Sequence, residues 1–311
     1  MSSAAAKIVK EGAKRLAVAQ MCSSLDKKAN LDTVRRLTRE AKAQGAQFVC
    51  FPEAFEFMGR PGTKDSMDAA ETLTGPTMSA LQSIAREEAM WLSLGGFHEK
   101  LQGEEAANAP NKIANTHCII DGQGNLVKSY RKIHLFDVDV DGGYRESDST
   151  LAGEEIAIVK NTPVGTIGVT TCYDMRFPEL FSILRDLGAE VILVPSAFMP
   201  TTGKAHWHVL LRSRAIETQT YVVAAAQSGI HNMQDTEIDR KRESYGHSLI
   251  VDPYGAIVCD LETIPEGVGL VDIDLDRMQE IRRAMPMTLH RKQSAQVLAR
   301  GRELAKEYNA K

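Results

Sequence analysis

Several features that mark specialised classes of protein are scarce or missing in this 311-residue sequence. Its five cysteines (22, 50, 118, 172 and 259) are an odd number without CxxC spacing, which argues against a disulfide framework and a cysteine-ligated zinc site. No apolar run approaches the ~18 residues of a membrane span, and a net charge of −4 offers no basic surplus for nucleic acid or anionic lipid. These absences favour a reducing compartment and a small-molecule ligand, with no nucleic-acid or membrane partner.

The ends of the chain differ in character from its middle. The first residues are rich in lysine, which faintly resembles a transit peptide, but the stretch is short and poor in serine. We therefore expect a frayed tail over residues 1–14 and a cytoplasmic location, with a mitochondrial location as the alternative. Because no Pro/Gly-rich linker divides the rest, we expect one α/β domain over residues 15–295, followed by a helical tail over 296–311.

Hydrophobic periodicity alternates between strand and helix along the chain. In the first third, the pattern predicts strands over residues 16–21, 48–51 and 91–97, with helices over 29–43 and from Pro76 onward. Two strands flanking the turn DGQGN predict a hairpin within residues 113–134. Later segments predict a helix over 205–218 and a single strand in TYVVAAAQ, residues 220–227.

An internal repeat suggests that the domain has two related halves. QGAQFVCFPEAF (44–55) aligns with LGAEVILVPSAF (187–198), and both copies share Gly-Ala before the strand and Pro-x-Ala-Phe after it. We expect each half to be a sheet with helices on one face, and the two sheets to pack face to face. Since chemistry gathers beyond the carboxyl ends of strands, Glu53 and Ser196 are expected at equivalent positions beside a common cleft.

Cys172 lies between the apolar run TIGVTT and a predicted helix, in GVTTCYDMRFPEL. A thiol at such a junction is expected to have a lowered pKa and to act as a nucleophile. A buried core thiol is the alternative that local context leaves open.

Two further residues are candidates for catalysis. Glu53, in CFPEAFE, follows an apolar strand, so its pKa is expected to be raised as suits a general base; an exposed loop acid is the alternative, and Glu56 is its rival. Lys132, in SYRKIHLFD, shares a predicted strand face with Tyr130 and could stabilise an oxyanion, although YRK also fits a solvated charge run.

The HxH pair of AHWH, His206 and His208, has no evident third ligand, so no metal is expected.

Taken together, FPEAF, YRKIHLFD and CYDMRFPEL resemble the Glu-Lys-Cys motifs of the nitrilase superfamily, the carbon–nitrogen hydrolases. The resemblance extends from LAVAQM to LHRK and implies a four-layer αββα sandwich that assembles into homodimers or larger homo-oligomers. It implies that Cys172 is the nucleophile, Glu53 the general base, and Lys132 the oxyanion stabiliser with the backbone N–H of Tyr173. A second glutamate is implied as well, and YRES places Glu146 there.

The resemblance also implies a reaction: hydrolysis of a small amide through a thioester, with no metal or organic cofactor. The segments AHWHVLLRSRAIETQTYVVAAAQ and SYGHSLIVDPYGAIV favour relatives that cleave the keto analogue of glutathione, and 2-oxoglutaramate or 2-oxosuccinamate are the alternative substrates. Arg176 and Ser196 are candidate partners for the keto-acid carboxylate, although Arg176 could instead brace the loop. Loops over residues 197–203 and 230–242 are expected to shape the pocket. A non-catalytic interaction protein on the same fold is the alternative from another class.

Overall fold

The computed structural model of the chain describes residues 14–139, 143–236 and 241–309. The predicted N-terminal tail lies outside the described residues except for Lys14, which begins the first strand. The strands are β1 (Lys14–Met21), β2 (Phe48–Phe51), β3 (Trp91–Lys100), β4 (Ile113–Ile120), β5 (Leu126–Arg131), β6 (Asp137–Val138), β7 (Tyr144–Arg145), β8 (Ala157–Thr162), β9 (Gly165–Val169), β10 (Val191–Leu193), β11 (Tyr221–Ala224), β12 (Ala226–Ile230), β13 (Glu243–Tyr245), β14 (Leu249–Val251), β15 (Ile257–Asp260) and β16 (Gly267–Ile273).

Helices alternate with these strands as the periodicity predicts. They are α1 (Lys27–Ala43), α2 (Asp65–Asp68), α3 (Pro76–Glu88), α4 (Gly103–Asn108), α5 (Pro178–Asp186), α6 (Pro200–Thr218), α7 (Leu275–Ala284) and α8 (Met287–Asn309), with 3-10 turns over Glu146–Asp148 and Cys172–Arg176. The start of α1 follows from its N-cap, because the Asp26 carboxylate accepts a hydrogen bond from Ala29 N at 3.0 Å. Helix α6 begins at Pro200, earlier than residue 205, because proline suits the first helical turn.

The strands form two main sheets. In the larger sheet the order is β13-β12-β1-β2-β3-β4-β5, with β16 antiparallel to β1. In the smaller sheet the order is β15-β14-β11-β10-β9-β8. Strands β1, β2 and β3 are mutually parallel, as are β9, β10 and β11, so the centre of each sheet sends its carboxyl ends toward one edge.

The two sheets pack face to face, with helices on both outer faces. One core layer lies between the sheets and joins Val18 and Phe48 of the larger sheet to Val169, Val191 and Val223 of the smaller one. Helices α1 and α3 cover the larger sheet, and α5 and α6 cover the smaller one. Full burial of each such side chain is worth about 1.5–3 kcal/mol, so the αββα layers are held mainly by apolar packing. The predicted four-layer sandwich is therefore confirmed.

The internal repeat marks corresponding places in the two sheets. Gly45 and Gly188 follow α1 and α5 with φ of +85° and +98°, a conformation that glycine adopts without strain at a helix end. Each glycine is followed by a central parallel strand, β2 or β10. The prediction of one strand in TYVVAAAQ is wrong: β11 pairs in the smaller sheet and β12 in the larger one, so the chain passes between sheets at Ala225.

Among the helices that the structure describes, none has the length and apolarity to cross a bilayer.

Candidate active site

The predicted nucleophile, Cys172, lies just beyond the carboxyl end of β9, at the start of the 3-10 turn. Its backbone has φ of +49°, in the left-handed region that a side chain disfavours. The Cys172 N–H donates to the carbonyl of Pro195 at 2.8 Å, and Thr171 N donates to the Asp174 carboxylate at 2.8 Å across the start of the turn. Backbone strain held by surrounding bonds is a common feature of functional sites.

Asp174 fixes this turn to the chain segment that carries Lys132. Its buried carboxylate accepts hydrogen bonds from the Tyr130 hydroxyl at 2.7 Å, from Thr171 N at 2.8 Å and from His134 N at 3.1 Å. His134 Nδ1 lies a further 2.8 Å from the same carboxylate. Sequence reasoning missed this role, although Asp174 lies at the position where a capping carboxylate is expected.

Glu53 follows β2 and reaches across to the second half of the domain. Its Oε2 accepts a hydrogen bond from Ala197 N at 3.0 Å, and its Oε1 accepts from Asn115 Nδ2 at 2.8 Å. Lys132 Nζ lies 3.2 Å from Oε1, and Cys172 lines the same pocket as Glu53. The rival Glu56 instead binds His98 N and Nδ1, both at 2.8 Å.

Lys132 is buried between two carboxylates. Besides Glu53, its Nζ lies 3.0 Å and 2.8 Å from the two oxygens of Glu146. Glu146 begins the first 3-10 turn, and its Oε2 also accepts from Phe136 N at 2.8 Å. Asn115 connects the pair, because its Nδ2 donates to Glu146 at 3.2 Å as well as to Glu53.

The electrostatics of Glu53 differ from the expectation. Burial raises the pKa of Glu53, but Lys132 and the hydrogen bonds from Cys172 and Asn115 outweigh burial, so the pKa lies below its ordinary value. The predicted rise is therefore wrong, and Glu53 is a carboxylate at neutral pH. Burial lowers the pKa of Lys132, but the nearby carboxylates raise it well above its usual range, so Lys132 is an ammonium ion.

The expectation for Cys172 also needs correction. Burial and the charge of Glu53 raise the pKa of its thiol well above the ordinary value, more than Lys132 and the Ala197 N–H lower it. The resting group is thus a neutral thiol in the same pocket as the Glu53 carboxylate, rather than a free thiolate. Such a pair reacts as a nucleophile when the carboxylate takes the proton during attack.

A single pocket brings most of the candidate residues together. It is lined by Glu53, Lys132, Glu146, Cys172, Tyr173, Phe136, Tyr144, Ala197, Phe198, Met199, Thr202 and Arg242. Tyr173 packs edge-on against Phe136, with ring centres 5.0 Å apart, and its N–H lies in the first turn of the 3-10 helix. The segment 197–203, whose second part begins α6, contributes Ala197, Phe198, Met199 and Thr202 to the lining, and the segment 230–242 contributes Arg242.

Ser196 and Arg176 are not part of the pocket lining. Ser196 is fully buried, and its hydroxyl donates to Val194 O at 3.1 Å, so it is absent from the lining. The Arg176 guanidinium lies over the rings of Tyr173 and Phe198, at 5.6 Å and 5.7 Å. Its Nη2 is 3.2 Å from His206 Nδ1, so these contacts favour the bracing role for Arg176.

The other histidine of the HxH pair belongs to a separate cluster. His208 Nε2 lies 3.1 Å from Asp260, whose carboxylate also contacts His247 Nδ1 at 3.1 Å. These are the three residues of the described chain whose donor atoms stand close enough together to hold a metal ion. Asp260 joins the two histidines, and its carboxylate accepts from Glu262 N as well.

Comparison with known proteins places the chain in a family. The carbon-nitrogen hydrolase profile matches residues 15–283, so the protein belongs to that family, an amidase-type hydrolase of the nitrilase fold. Among its relatives, the deaminated glutathione amidases of Bos taurus and Homo sapiens are 46% and 45% identical. Each match spans 89% of this chain, and 81% and 82% of the relatives. The crystal structure of the Caenorhabditis elegans NitFhit protein matches with a TM-score of 0.79 at 38% identity, over 91% of this chain and 66% of that one.

Proposed function

We propose that this protein hydrolyses the amide bond of deaminated glutathione, the keto analogue of glutathione, to 2-oxoglutarate and cysteinylglycine. The observation that carries the reaction is the meeting of Cys172, Glu53 and Lys132 in one pocket, where Lys132 Nζ lies 3.2 Å from Glu53 Oε1. The substrate is supported by relatives of that name at 45–46% identity over 89% of the chain.

In the first half of the reaction the amide carbonyl carbon enters beside Cys172. Glu53 takes the thiol proton as sulfur forms its bond to that carbon, so the nucleophile is created only during attack. Negative charge develops on the carbonyl oxygen, where the Lys132 ammonium group and the Tyr173 N–H stabilise it. Glu53 then returns the proton to the amide nitrogen, the C–N bond breaks, and cysteinylglycine leaves behind a thioester of 2-oxoglutarate.

The second half repeats the same chemistry with water. Glu53 takes a proton from a water molecule as its oxygen attacks the thioester carbon, and the oxyanion forms again near Lys132. The C–S bond breaks, the sulfur recovers its proton, and the acid is released. Glu146 and Asn115 serve as positioning residues, because they fix Lys132 and Glu53 without needing to touch the substrate.

The decisive experiment compares two substrates on the same enzyme preparation. Release of cysteinylglycine from deaminated glutathione, followed by mass spectrometry, is expected with a higher kcat/KM than release of ammonia from 2-oxoglutaramate. The opposite preference would make the protein an omega-amidase on the same chemistry. No hydrolysis of either amide would favour the interaction-protein alternative.

We also propose a homodimer or larger homo-oligomer. Exposed apolar side chains occur on α5 and α6, at Ile183, Val209 and Ile216, and at Leu187 directly after α5. Water-exposed groups of this kind are stabilised when a second copy covers them. Sedimentation equilibrium should give at least twice the monomer mass, and Val209→Glu should shift the equilibrium toward monomer.

A further inference from the structure

Arg242 reaches the pocket from a part of the chain distant from the Glu, Lys and Cys motifs. It precedes β13, and its backbone carbonyl accepts a hydrogen bond from His231 N at 2.9 Å, which anchors it to the edge of the larger sheet. Its side chain lines the same pocket as Cys172. The charge of Arg242 affects the pKa of two neighbouring groups. Burial is the main cause that lowers the pKa of His231, to about 4, and the charge of Arg242 lowers it further. Burial raises the pKa of Tyr144, and Arg242 opposes that rise.

Arg242 has no acidic partner among residues 14–139, 143–236 and 241–309, because no carboxylate oxygen there lies within ion-pair distance of its guanidinium group. The other cations near the pocket differ from Arg242. Lys132 lines the pocket but contacts Glu53 and Glu146. Arg176 has no carboxylate partner among the described residues, but it lies over two aromatic rings beside His206 and is not part of the pocket lining. An arginine without a carboxylate partner in the described part of the chain has its guanidinium group available to bind an anion there.

The charge of the inner pocket makes such a cation necessary for an anionic substrate. Glu53 and Glu146 supply two carboxylates against the single ammonium group of Lys132, and the Cys172 thiol is neutral at rest. A substrate carboxylate entering this pocket would meet net negative charge, and repulsion is strong where water is scarce. A guanidinium group in the lining offsets that charge and can hold a carboxylate through two parallel hydrogen bonds.

We propose that Arg242 forms a carboxylate-binding subsite of the catalytic pocket and thereby selects amides that carry a carboxylate group. The identity of the natural ligand rests on the proposed function, whereas the subsite itself does not. Deaminated glutathione offers two carboxylates, one on the keto-acid part and one on the departing glycine, and the experiments below distinguish them.

The first test uses two alkylating reagents that differ only in charge. Iodoacetate carries a carboxylate where iodoacetamide carries a neutral amide, and with either reagent the Cys172 sulfur forms a bond to carbon as iodide leaves and the thiol proton is lost. The ratio of the two rate constants at Cys172, measured by mass spectrometry, should fall about 10- to 100-fold in Arg242→Gln, the worth of a charged hydrogen bond. Because a ratio is measured, a general change in thiol reactivity cancels.

Two further variants separate a subsite from a general effect of charge. Lys241 is the exposed neighbour of Arg242, and its Nζ donates to Met233 O, so Lys241→Gln removes the same charge one residue away. The ratio should stay near the wild-type value in Lys241→Gln. In Arg242→Lys, which keeps the charge but loses the planar guanidinium group, it should lie between the values for the wild type and for Arg242→Gln. An unchanged ratio in Arg242→Gln, or an equal fall in Lys241→Gln, would overturn the proposal.

The second test locates the carboxylate on the substrate. If Arg242 binds the keto-acid end, Arg242→Gln should raise KM about 10- to 100-fold for 2-oxoglutaramate and leave it unchanged for 4-oxopentanamide, which has methyl in place of that carboxylate. If it binds the glycine end, the effect should appear with deaminated glutathione and disappear when its glycine carboxylate is amidated. An equal rise with neutral and acidic amides would overturn the subsite. A fall in the alkylation ratio without any amide turnover would refute only the proposed function.

Discussion

Asn115 Nδ2 lies 2.8 Å from Glu53 Oε1 and donates a hydrogen bond to that carboxylate. Asn115 is on β4, and its backbone carbonyl accepts from Lys132 N at 2.9 Å, so the hairpin places an amide directly beside the proposed base. This bond is one of the interactions that keep the pKa of Glu53 low despite burial.

Replacing Asn115 should therefore change the pH dependence of the enzyme. In Asn115→Leu the charged form of Glu53 loses a donor, so its pKa rises and the acidic limb of the kcat/KM profile moves up by about one pH unit. At neutral pH, kcat should fall about 10-fold or more, because a hydrogen bond to a charged group is worth about 1.5–3 kcal/mol. A lower rate with an unmoved acidic limb would show that Asn115 supports only the fold.

The general-base role of Glu53 can be tested without any substrate. Since the resting Cys172 thiol is neutral, Glu53→Gln should slow its alkylation by iodoacetamide about 10²-fold or more. Glu56→Gln is the matched control, because Glu56 is buried nearby and binds His98 instead of the thiol. Alkylation at the wild-type rate in Glu53→Gln would contradict the proposed base.

Much of this site could be predicted because its parts lie at ends of strands. Glu53 follows a buried strand, Cys172 follows another, and the hairpin register would also have placed Asn115 opposite Lys132. The pKa directions could not be predicted, since they depend on the balance between burial and several charges from distant segments. Burial alone raises the pKa of a carboxylic acid, whereas the assembled network lowers it for Glu53.

Ser196 shows the limit of the internal repeat. The alignment with Glu53 gives the correct backbone position, but it is the neighbouring Ala197 N–H that faces the Glu53 carboxylate. An internal repeat predicts the path of the backbone, but it does not predict which side-chain or main-chain group contacts the site. Arg242 was named only as the end of a loop, because a long irregular segment carries no periodicity from which its approach to Cys172 could be inferred.

Acid should destabilise the fold through buried His117. Its Nδ1 lies 2.8 Å from Thr170 O and its Nε2 2.7 Å from the Ser93 hydroxyl, an arrangement that suits the neutral ring. Burial lowers the pKa of His117 to about 4. The unfolded chain therefore binds a proton from about pH 6.5 downward while the folded protein does not, so the free energy of unfolding falls between pH 6.5 and 4.

This effect can be measured by urea unfolding at pH 7 and pH 5. His117→Asn keeps a donor for Thr170 O but has no titratable ring, so it should lose less stability than the wild type over this interval. The whole lowering of the His117 pKa corresponds to roughly 3 kcal/mol of unfolding free energy. About half of the pH interval over which this energy is lost lies between the two pH values measured. An identical loss in both proteins would show that other groups account for the acid sensitivity.

The two halves of the domain approach each other closely at Gly95 on β3. A Cβ atom there would lie 2.0 Å from Pro195 Cβ, and Pro195 O accepts the hydrogen bond from Cys172 N. Gly95→Ala should therefore cost about 3 kcal/mol of stability and displace the nucleophile. Gly301→Ala is the control, because nothing lies within 4 Å of its added Cβ and alanine favours α8. Equal melting temperatures and activities for the two variants would contradict this account of Gly95.

The most direct test of the central claim is turnover of deaminated glutathione by the wild type and by Cys172→Ala. The wild type should release cysteinylglycine and 2-oxoglutarate in equal amounts, and brief acid quenching should trap a covalent adduct of the acyl group on Cys172. Cys172→Ala should retain the fold, form no adduct and release neither product, because the attacking sulfur is absent. Turnover by Cys172→Ala at a rate near that of the wild type would contradict the mechanism.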